Sequence, residues 1–323
     1  MLALGLMSLV SAIGLWMFSR LAPCVGLVDQ PNHRSLHEEP KVVGAGVVPV
    51  FLIAGFLFFI APLGSHNGVV WLLLGLSLIG LSDDRWSLPN APRFLSYLLA
   101  GIVLPWLILP IEQQISVISL MWFLVLGVSV AWCINLFNFM DGADGLATVQ
   151  LMSVSLGLGL IATFGPIDAD ELARCCGALF ASSLPLIVFN WPPAKLFMGD
   201  AGAIPLGFFL AVLGVLAGSA ATSLGIAWCI LMMPFLIDTG FTLCWRVLSG
   251  DAPHVAHRDH AYQRLVLRIG SPLPVTLGLL AMQKAGKFPL AVTAVNNLLF
   301  PPVLVFLSAI PTVLVVVYAR STQ

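Results

Sequence analysis

The stretch SVISLMWFLVLGVSVAWCINLFNFMDGADGLATVQLMSVSLGLGLIATF, residues 116–164, places two aspartates between two long apolar runs. Each run is long enough to cross the roughly 30 Å hydrocarbon core of a bilayer as an α-helix, which takes about 20 residues. Between the runs, Asp141 and Asp144 follow Asn138 in the segment NFMDGADG. The stretch therefore predicts two membrane-spanning helices joined at the membrane surface by a short acidic turn.

The remainder of the chain has the same character. Of its 323 residues 59% are hydrophobic and 9% are charged, and the mean hydropathy is +1.01, whereas about a quarter of the residues of a soluble domain are charged. We expect an all-α, polytopic integral membrane bundle of about eleven helices, forming a single transmembrane catalytic domain over residues 1–323. The predicted spans are 2–22, 44–63, 68–82, 94–111, 116–138, 145–164, 171–190, 202–221, 223–245, 273–292 and 299–318.

Lysine and arginine predict the orientation of these spans, because basic residues accumulate in cytoplasmic loops. With these spans, all lysines and arginines except Arg174, Lys284 and Lys287 fall on one side of the membrane. The N-terminus is therefore predicted to be periplasmic, with cytoplasmic loops near 23–43, 82–93, 138–145, 190–201 and 246–272. Lys284 and Lys287 conflict with the tenth span; either they snorkel outward or the span is short and broken.

Three acidic clusters lie at the predicted cytoplasmic ends of spans. They are Asp83 and Asp84 in GLSDDRW, Asp141 and Asp144 in FMDGADG, and Asp200 in KLFMGDAG. Ionisable groups near a membrane interior are costly and mark a functional site by default. Helix capping is an alternative for Asp144 and Asp200, but none of the clusters has an evident basic partner. Mg²⁺ coordinated by oxygen ligands relieves such repulsion, and Mn²⁺ uses similar ligands.

The spacing within the clusters refines this prediction. Asp83 and Asp84 are adjacent, about 100° apart on a helix, and should therefore contact different partners. Asp141 and Asp144 share one face if the helix continues through them.

Two basic loops accompany the carboxylates. DAPHVAHRDHAYQ, residues 251–263, contains His257, Arg258 and His260. We favour phosphate binding by these residues, since arginine offers bidentate donors and a protonated imidazole adds another; metal coordination and simple solvation are the alternatives. The loop PNHRSLHEEPKVVGAG adds a second set: Arg34, His37 and Lys41. Its glycines either allow close approach to a ligand or pack against a helix.

Carboxylates facing a basic loop at a membrane surface suit a reaction on a pyrophosphate-type donor with a lipid acceptor arriving from the bilayer. The ordered motifs SDDR, NFMDGADGLA, LFMGDAG and HRDHAYQRL resemble those of the bacterial polyprenyl-phosphate N-acetylhexosamine-1-phosphate transferases of the WecA/MraY/TagO type. The first loop is similar to that family's RxxH…P…GG segment, with Ala45 between the glycines. The HRxHxYQ form resembles the WbpL-like branch, which starts O-antigen synthesis, more than the peptidoglycan branch.

The resemblance implies that a UDP-N-acetylhexosamine gives its sugar-1-phosphate to undecaprenyl phosphate, releasing UMP at the inner face of the bacterial cytoplasmic membrane. It implies an acid–base role for Asp83, metal or lipid-phosphate handling by Asp84, Mg²⁺ ligation by Asp200 and Asp141, and a position near the uracil for Phe197. Two further sets are implied to bind substrate: Asn138, Asp141 and Asp144 on the nucleotide and metal, and His257, Arg258 and His260 on the donor. Direct attack by the lipid phosphate is favoured over an aspartyl-phosphate intermediate.

Two other classes of membrane protein also use aspartates. A CDP-alcohol phosphotransferase requires an Ala-Arg pair after its first Asp-Gly, which DGADG lacks. An ion-coupled transporter is the remaining alternative, with carboxylates near the midplane; Asp238 is the acidic residue predicted to lie deepest. No nucleic-acid surface is indicated, and the donor sugar and a homodimeric state are left open.

Overall fold

The computed structural model describes residues 2–31, 36, 39–61, 67–109, 117–251 and 257–321. Helices dominate these residues because a backbone in the bilayer must pair its own polar groups. The helices are α1 Leu2–Leu21, α2 Val47–Phe59, α3 Gly68–Trp86, α4 Asn90–Ile108, α5 Val117–Phe139, α6 Leu146–Phe164, α7 Asp170–Asn190, α8 Asp200–Ala220, α9 Thr222–Leu248, α10 Ala261–Ile269, α11 Leu273–Met282, α12 Phe288–Val295 and α13 Pro301–Arg320. A 3₁₀ turn, Ala22–Val25, follows α1.

Every predicted span has a helical counterpart, which confirms the polytopic all-α prediction. In the described part of the chain, eight helices are long and apolar enough to cross a membrane: α1, α4, α5, α6, α7, α8, α9 and α13. Of the others, α2 has only 13 residues, and α3 carries Asp83, Asp84 and Arg85 in its last turn. The helix α10 lies in the loop predicted to be cytoplasmic.

The counterpart of the tenth predicted span is broken, which decides between the two alternatives for the lysines. Residues Gln283–Lys287 form a π-helical turn between α11 and α12. Lys287 is buried, and its Nζ donates to the Ser308 carbonyl and, at 3.1 Å, to Thr312 Oγ1 of α13. The prediction of a single helix over 273–292 was therefore wrong in detail.

The helix α8 occupies the centre of the bundle, with almost all of its residues buried. It packs against α3, α5 and α9. Close approach of α3 depends on Gly80, because a Cβ there would lie 2.1 Å from the Asp200 carbonyl oxygen. Ser77 Oγ of α3 also donates to the Ala201 carbonyl at 2.9 Å. The end of α3 and the start of α8 are thereby held together.

A small hairpin follows α1. Its strands, β1 Val28–Asp29 and β2 Lys41–Val42, pair antiparallel. After β2 the chain packs on the loop before α8, where Gly46 N donates to the Met198 carbonyl at 2.9 Å. A Cβ on Gly46 would lie 2.4 Å from Gly202 Cα. For Gly46 the structure therefore favours packing over contact with a ligand.

Candidate active site

A cavity of about 580 Å³ lies where α3, α5 and α8 meet the loops after β1 and α5. Seven of the predicted site residues line it, although they come from three separate segments of the chain. They are Asp83, Asp84, Asn138, Asp141, Asp144, Phe197 and Asp200. The fold therefore brings the three acidic clusters to one place.

Arg93 joins two of these clusters. Its Nη1 lies 3.1 Å from Asp200 Oδ2 and also contacts Asp83 Oδ2. Asp83 Oδ1 in turn accepts a hydrogen bond from Leu88 N at 2.6 Å. The expectation that no cluster has a basic partner was thus wrong for Asp83 and Asp200. Asp83 and Asp200 therefore share one guanidinium, which can balance only one of their two negative charges.

Asp84 points away from Asp83 and caps the start of α8. Its two oxygens accept hydrogen bonds from Asp200 N at 2.9 Å and from Ala201 N at 3.0 Å. The helix N-terminus carries partial positive charge, which favours a carboxylate at this position. This confirms that adjacent aspartates contact different partners.

Gly199 is required beside Asp84. It has a φ of +68°, in the left-handed region, and a Cβ there would lie 2.6 Å from Asp84 Oδ2 and 2.5 Å from Gly44 N. Both the backbone conformation and the lack of space exclude a side chain.

Asp141 and Asp144 do not share a helical face, because α5 ends at Phe139 and α6 begins at Leu146. Asp144 Oδ2 accepts from Ala194 N at 2.8 Å, so this aspartate fixes the loop before α8 and does not cap α6. Asp141 accepts no hydrogen bond from any described residue. Burial and the charges of Asp84 and Asp144 raise the pKa of Asp141 well above its usual range. A cation beside Asp141 would favour its ionised form.

Asn138 and Asp200 form a direct pair across α5 and α8. Asn138 Nδ2 donates to Asp200 Oδ1 at 2.9 Å. Asp200 makes no capping hydrogen bond with its own helix, so the alternative of a helix cap is not supported. Its carboxylate instead connects Asn138 to Arg93.

The segment 257–260 lies beside the cavity, not in its wall. His257, Arg258 and His260 are absent from the described residues that line the cavity. Tyr262, the second residue of α10, connects this part of the chain to the end of α5: its hydroxyl donates to the Phe139 carbonyl at 2.9 Å. Asp238 is not free at the midplane but accepts from Ala261 N at 2.8 Å at the start of α10.

The protonation of His257 differs from the prediction. Burial and the charges of His260 and Arg246 lower the pKa of His257 to about 4. At neutral pH this imidazole is uncharged, so it offers a neutral N–H donor.

The first-loop residues contribute less. Arg34 and His37 lie outside the described residues. Lys41 is in β2 and forms an ion pair with Glu39, with Nζ 3.6 Å from Oε2. Its side chain does not appear among the described residues lining the cavity, so the structure does not bring it to the carboxylates.

Three residues of the site were missed by sequence reasoning. Arg93 was counted only as a loop charge, although α3 and α4 are joined by residues 87–89 alone, which returns the first turn of α4 to the end of α3. Asn190 is buried, and its Oδ1 accepts from Gly145 N at 3.1 Å and from Thr148 Oγ1 at 2.8 Å. Gln263 also lines the cavity. Arg93 had a sequence signal in the short connection, and Gln263 had one as the last residue of the HRxHxYQ motif.

The oxygen donors suit a hard divalent cation, but they do not form a complete cage. In the part of the chain that the structure describes, no three His, Cys, Asp or Glu side chains form a ready metal site. Asp84, Asp141 and Asp200 are therefore not a preformed set of three ligands. Mg²⁺ commonly uses one or two carboxylates and completes its shell with water and substrate phosphate. The free Asp141 carboxylate fits that arrangement.

Comparison with known proteins agrees with this geometry. The family model described as glycosyl transferase family 4 matches residues 66–218, a range that contains all seven cavity-lining predictions. A probable undecaprenyl-phosphate N-acetylglucosaminyl 1-phosphate transferase of Bacillus subtilis is 26% identical over 76% of this chain and 72% of its own length.

Two phospho-N-acetylmuramoyl-pentapeptide-transferases are also similar. The protein of Rhodopseudomonas palustris is 37% identical over 58% of this chain and 62% of its own length. That of Caulobacter sp. strain K31 is 29% identical over 54% of this chain and 58% of its own length. Together with the ordered motifs gathered at one cavity of a polytopic bundle, these matches make the chain similar to glycosyl transferase family 4 over residues 66–218 and to membrane-embedded phospho-sugar transferases of the WecA/MraY/TagO type.

Proposed function

We propose that this protein transfers an N-acetylated sugar-1-phosphate from a UDP-sugar to undecaprenyl phosphate, releasing UMP. The product is an undecaprenyl-diphosphate-linked sugar that initiates a cell-envelope polysaccharide, for which we propose O-antigen lipopolysaccharide of the WbpL-like branch. The observation that carries the proposal is the single cavity holding Asp83, Asp84, Asp141, Asp144 and Asp200 at the ends of membrane helices. The proposed location is the bacterial inner membrane, with this cavity facing the cytoplasm.

Asp141 and its neighbours are proposed to hold Mg²⁺, with Mn²⁺ as a substitute. The ion, when bound, neutralises charge on the donor diphosphate and on the departing UMP. The donor set supports this because Asp141 has no other partner among the described residues, while each Asp84 oxygen already accepts one backbone hydrogen bond. Asp200 presents its carboxylate between Asn138 and Arg93.

The transfer is proposed to be a direct displacement. An oxygen of the lipid phosphate attacks the phosphorus that carries the sugar, and the bond from that phosphorus to the bridging oxygen of UMP breaks. The attacking group is already an anion and needs no proton removed. Asp83, predicted as the acid–base residue, has both oxygens engaged by Leu88 N and Arg93. We therefore propose that Asp83 orients Arg93, and that Arg93 attracts an incoming phosphate.

Donor recognition is proposed for the residues beside the carboxylates. Phe197 lines the cavity and offers an aromatic face to the uracil. Arg258 and the neutral His257 supply N–H donors to the donor phosphates or sugar. Tyr262, which follows them closely in the chain, donates to the Phe139 carbonyl, and the His257 ring contacts the His260 ring, so this segment lies near the cavity.

The transporter alternative is not favoured. Its carboxylates would be expected near the midplane, whereas Asp238 caps α10 and the cavity aspartates lie at helix ends.

The test incubates purified protein with Mg²⁺, undecaprenyl phosphate and a panel of UDP-N-acetylhexosamines, and measures released UMP. We expect release with at least one donor, and loss of release on chelation of Mg²⁺. Asp141→Asn should reduce turnover by at least about a hundredfold if it holds the ion. The matched control is Asp168→Asn, which removes an exposed carboxylate from the connection between α6 and α7. Absence of UMP from folded wild-type protein with every donor would contradict the proposal.

A further inference from the structure

Asp259 lies at the centre of a cluster of arginines contributed by three helices. Its carboxylate contacts Arg246 of α9 and accepts from Arg264 Nη2 of α10 at 3.1 Å. Its backbone carbonyl accepts from Arg264 Nε at 3.2 Å and from Arg320 Nη2 at 3.0 Å. The segment 257–259 is thus held from several directions although it has no regular secondary structure.

Arg320 is the last residue of α13, about 60 residues along the chain from the segment that it contacts. The same Nη2 also donates to Thr242 Oγ1 of α9 at 3.0 Å. The guanidinium lies over the rings of Phe241 and Trp245, with centroid distances of 5.2 and 5.5 Å. These contacts fix the orientation of Arg320, since a guanidinium over aromatic rings gains electrostatic attraction.

Asp259 also contacts His257, which precedes it in the segment. Its backbone N–H donates to His257 Nδ1 at 3.2 Å, which leaves Nε2 of the neutral ring as the N–H donor. The His257 ring lies 5.1 Å from the His260 ring, and the His260 ring lies 5.9 Å from that of Phe139. This row of rings extends from the segment to the end of α5, beside Asn138 of the cavity.

We infer that Arg320 and Asp259 are positioning residues that hold His257 and Arg258 in the conformation that binds the phosphates of the nucleotide-sugar donor. The inference rests on the proposed function and adds the C-terminal helix to the donor site. A segment that is ordered before the donor arrives does not lose that conformational freedom on binding, which strengthens donor affinity. The lipid acceptor approaches from the bilayer and does not depend on this segment.

The test compares Arg320→Ala with wild type in two measurements. In the UMP-release assay we expect KM for the UDP-sugar to rise by roughly tenfold, the effect of one lost charge-assisted hydrogen bond, while kcat and KM for undecaprenyl phosphate change less than about threefold. In calorimetry with UDP as the probe, Kd should rise by about the same factor. Arg320→Lys keeps the charge but loses the planar fork, so it should give an intermediate rise.

The control is Arg268→Ala. Arg268 is in the last turn of α10, and its guanidinium lies over the Tyr318 ring at 4.7 Å, so the variant removes the same charge from beside the same end of α13. We expect donor KM and UDP affinity close to wild type. If Arg320→Ala fails to fold, Arg320→Gln, which retains a hydrogen-bond donor, replaces it in the same comparison.

Unchanged donor KM and UDP affinity in folded Arg320→Ala would overturn the inference. Equal rises in donor and acceptor KM would also overturn it, since they would indicate general loosening of the bundle. Wild-type protein that releases no UMP from any donor would instead remove the proposed function. UDP calorimetry separates the two cases, because it tests the effect of Arg320 on nucleotide binding without requiring turnover.

Discussion

Replacing Arg93 by glutamine tests the central ion pairs of the cavity. The side chains of Arg93, Asp83 and Asp200 are 20%, 10% and 24% exposed. Breaking a fully buried pair costs about 3–5 kcal/mol because one charge is left uncompensated. With this partial exposure we expect a loss of about 2 kcal/mol in the free energy of unfolding. Thermal unfolding in detergent measures the change.

The effect on turnover should be larger than the effect on stability. Arg93→Gln removes the cation that faces Asp83 and Asp200, so the cavity becomes more negative and repels the phosphates of both substrates. Loss of one preorganised charged donor lowers rates by roughly a hundredfold or more, which corresponds to about 2.7 kcal/mol at 1.36 kcal/mol for each factor of ten. UMP release under saturating donor measures this loss.

A double variant separates charge balance from catalysis. Adding Asp83→Asn to Arg93→Gln removes one negative charge together with the positive one, so at least half of the lost stability should return. Turnover should stay low, because no guanidinium remains to attract phosphate. Arg174→Gln is the control, since it makes the same chemical change at an exposed position near the start of α7. The reasoning would be refuted if Arg93→Gln kept turnover within about threefold of wild type. It would also be refuted if the double variant regained wild-type turnover.

Three further results are expected. Gly199→Ala should lower stability by about 1–3 kcal/mol through its positive φ and the contact with Gly44 N. The control is Gly240→Ala inside α9, where nothing lies within 4 Å of a Cβ and which should not lower the thermal midpoint. Because the folded-state pKa of His257 is about 4, below its unfolded value of about 6.5, the unfolded state binds more protons between these values. Stability should therefore fall as the pH drops through this window, by about 2 kcal/mol more in wild type than in a His257→Gln variant that cannot take up this proton. Asp200→Asn should abolish turnover while the protein remains folded, and measurable UMP release from this variant would contradict a direct role for its carboxylate.

The spans were predictable because their signal is local. Twenty apolar residues in a row have few alternatives to a membrane helix, and each predicted run has a helical counterpart. The exception is the region of Lys284 and Lys287, where the π-helical turn depends on contacts that Lys287 makes with α13. A partner about 25 residues away cannot be seen from the local composition.

The residues that line the cavity were predictable, but their hydrogen-bond and ion-pair partners were not. Asp83, Asp141 and Asp200 were identified by type and by position at span ends, and all three line one cavity. Their partners were not identified. Asp84 caps a helix that starts 116 residues later, and Arg93 connects two clusters that are far apart in the chain.

By itself, the sequence determined that the chain is a membrane bundle and that its aspartates gather at helix ends, because hydrophobic length and charge cost act on each segment separately. Only the tertiary structure decided which of the described carboxylates accepts no hydrogen bond and which ones have hydrogen-bond or ion-pair partners. Hydrogen bonds to Asp84 and the guanidinium of Arg93 come from helices packed side by side, and the packing of α3 and α4 against α8 sets those distances. The same holds for Arg320, whose contact with Asp259 exists only because α13 returns to the end of α9.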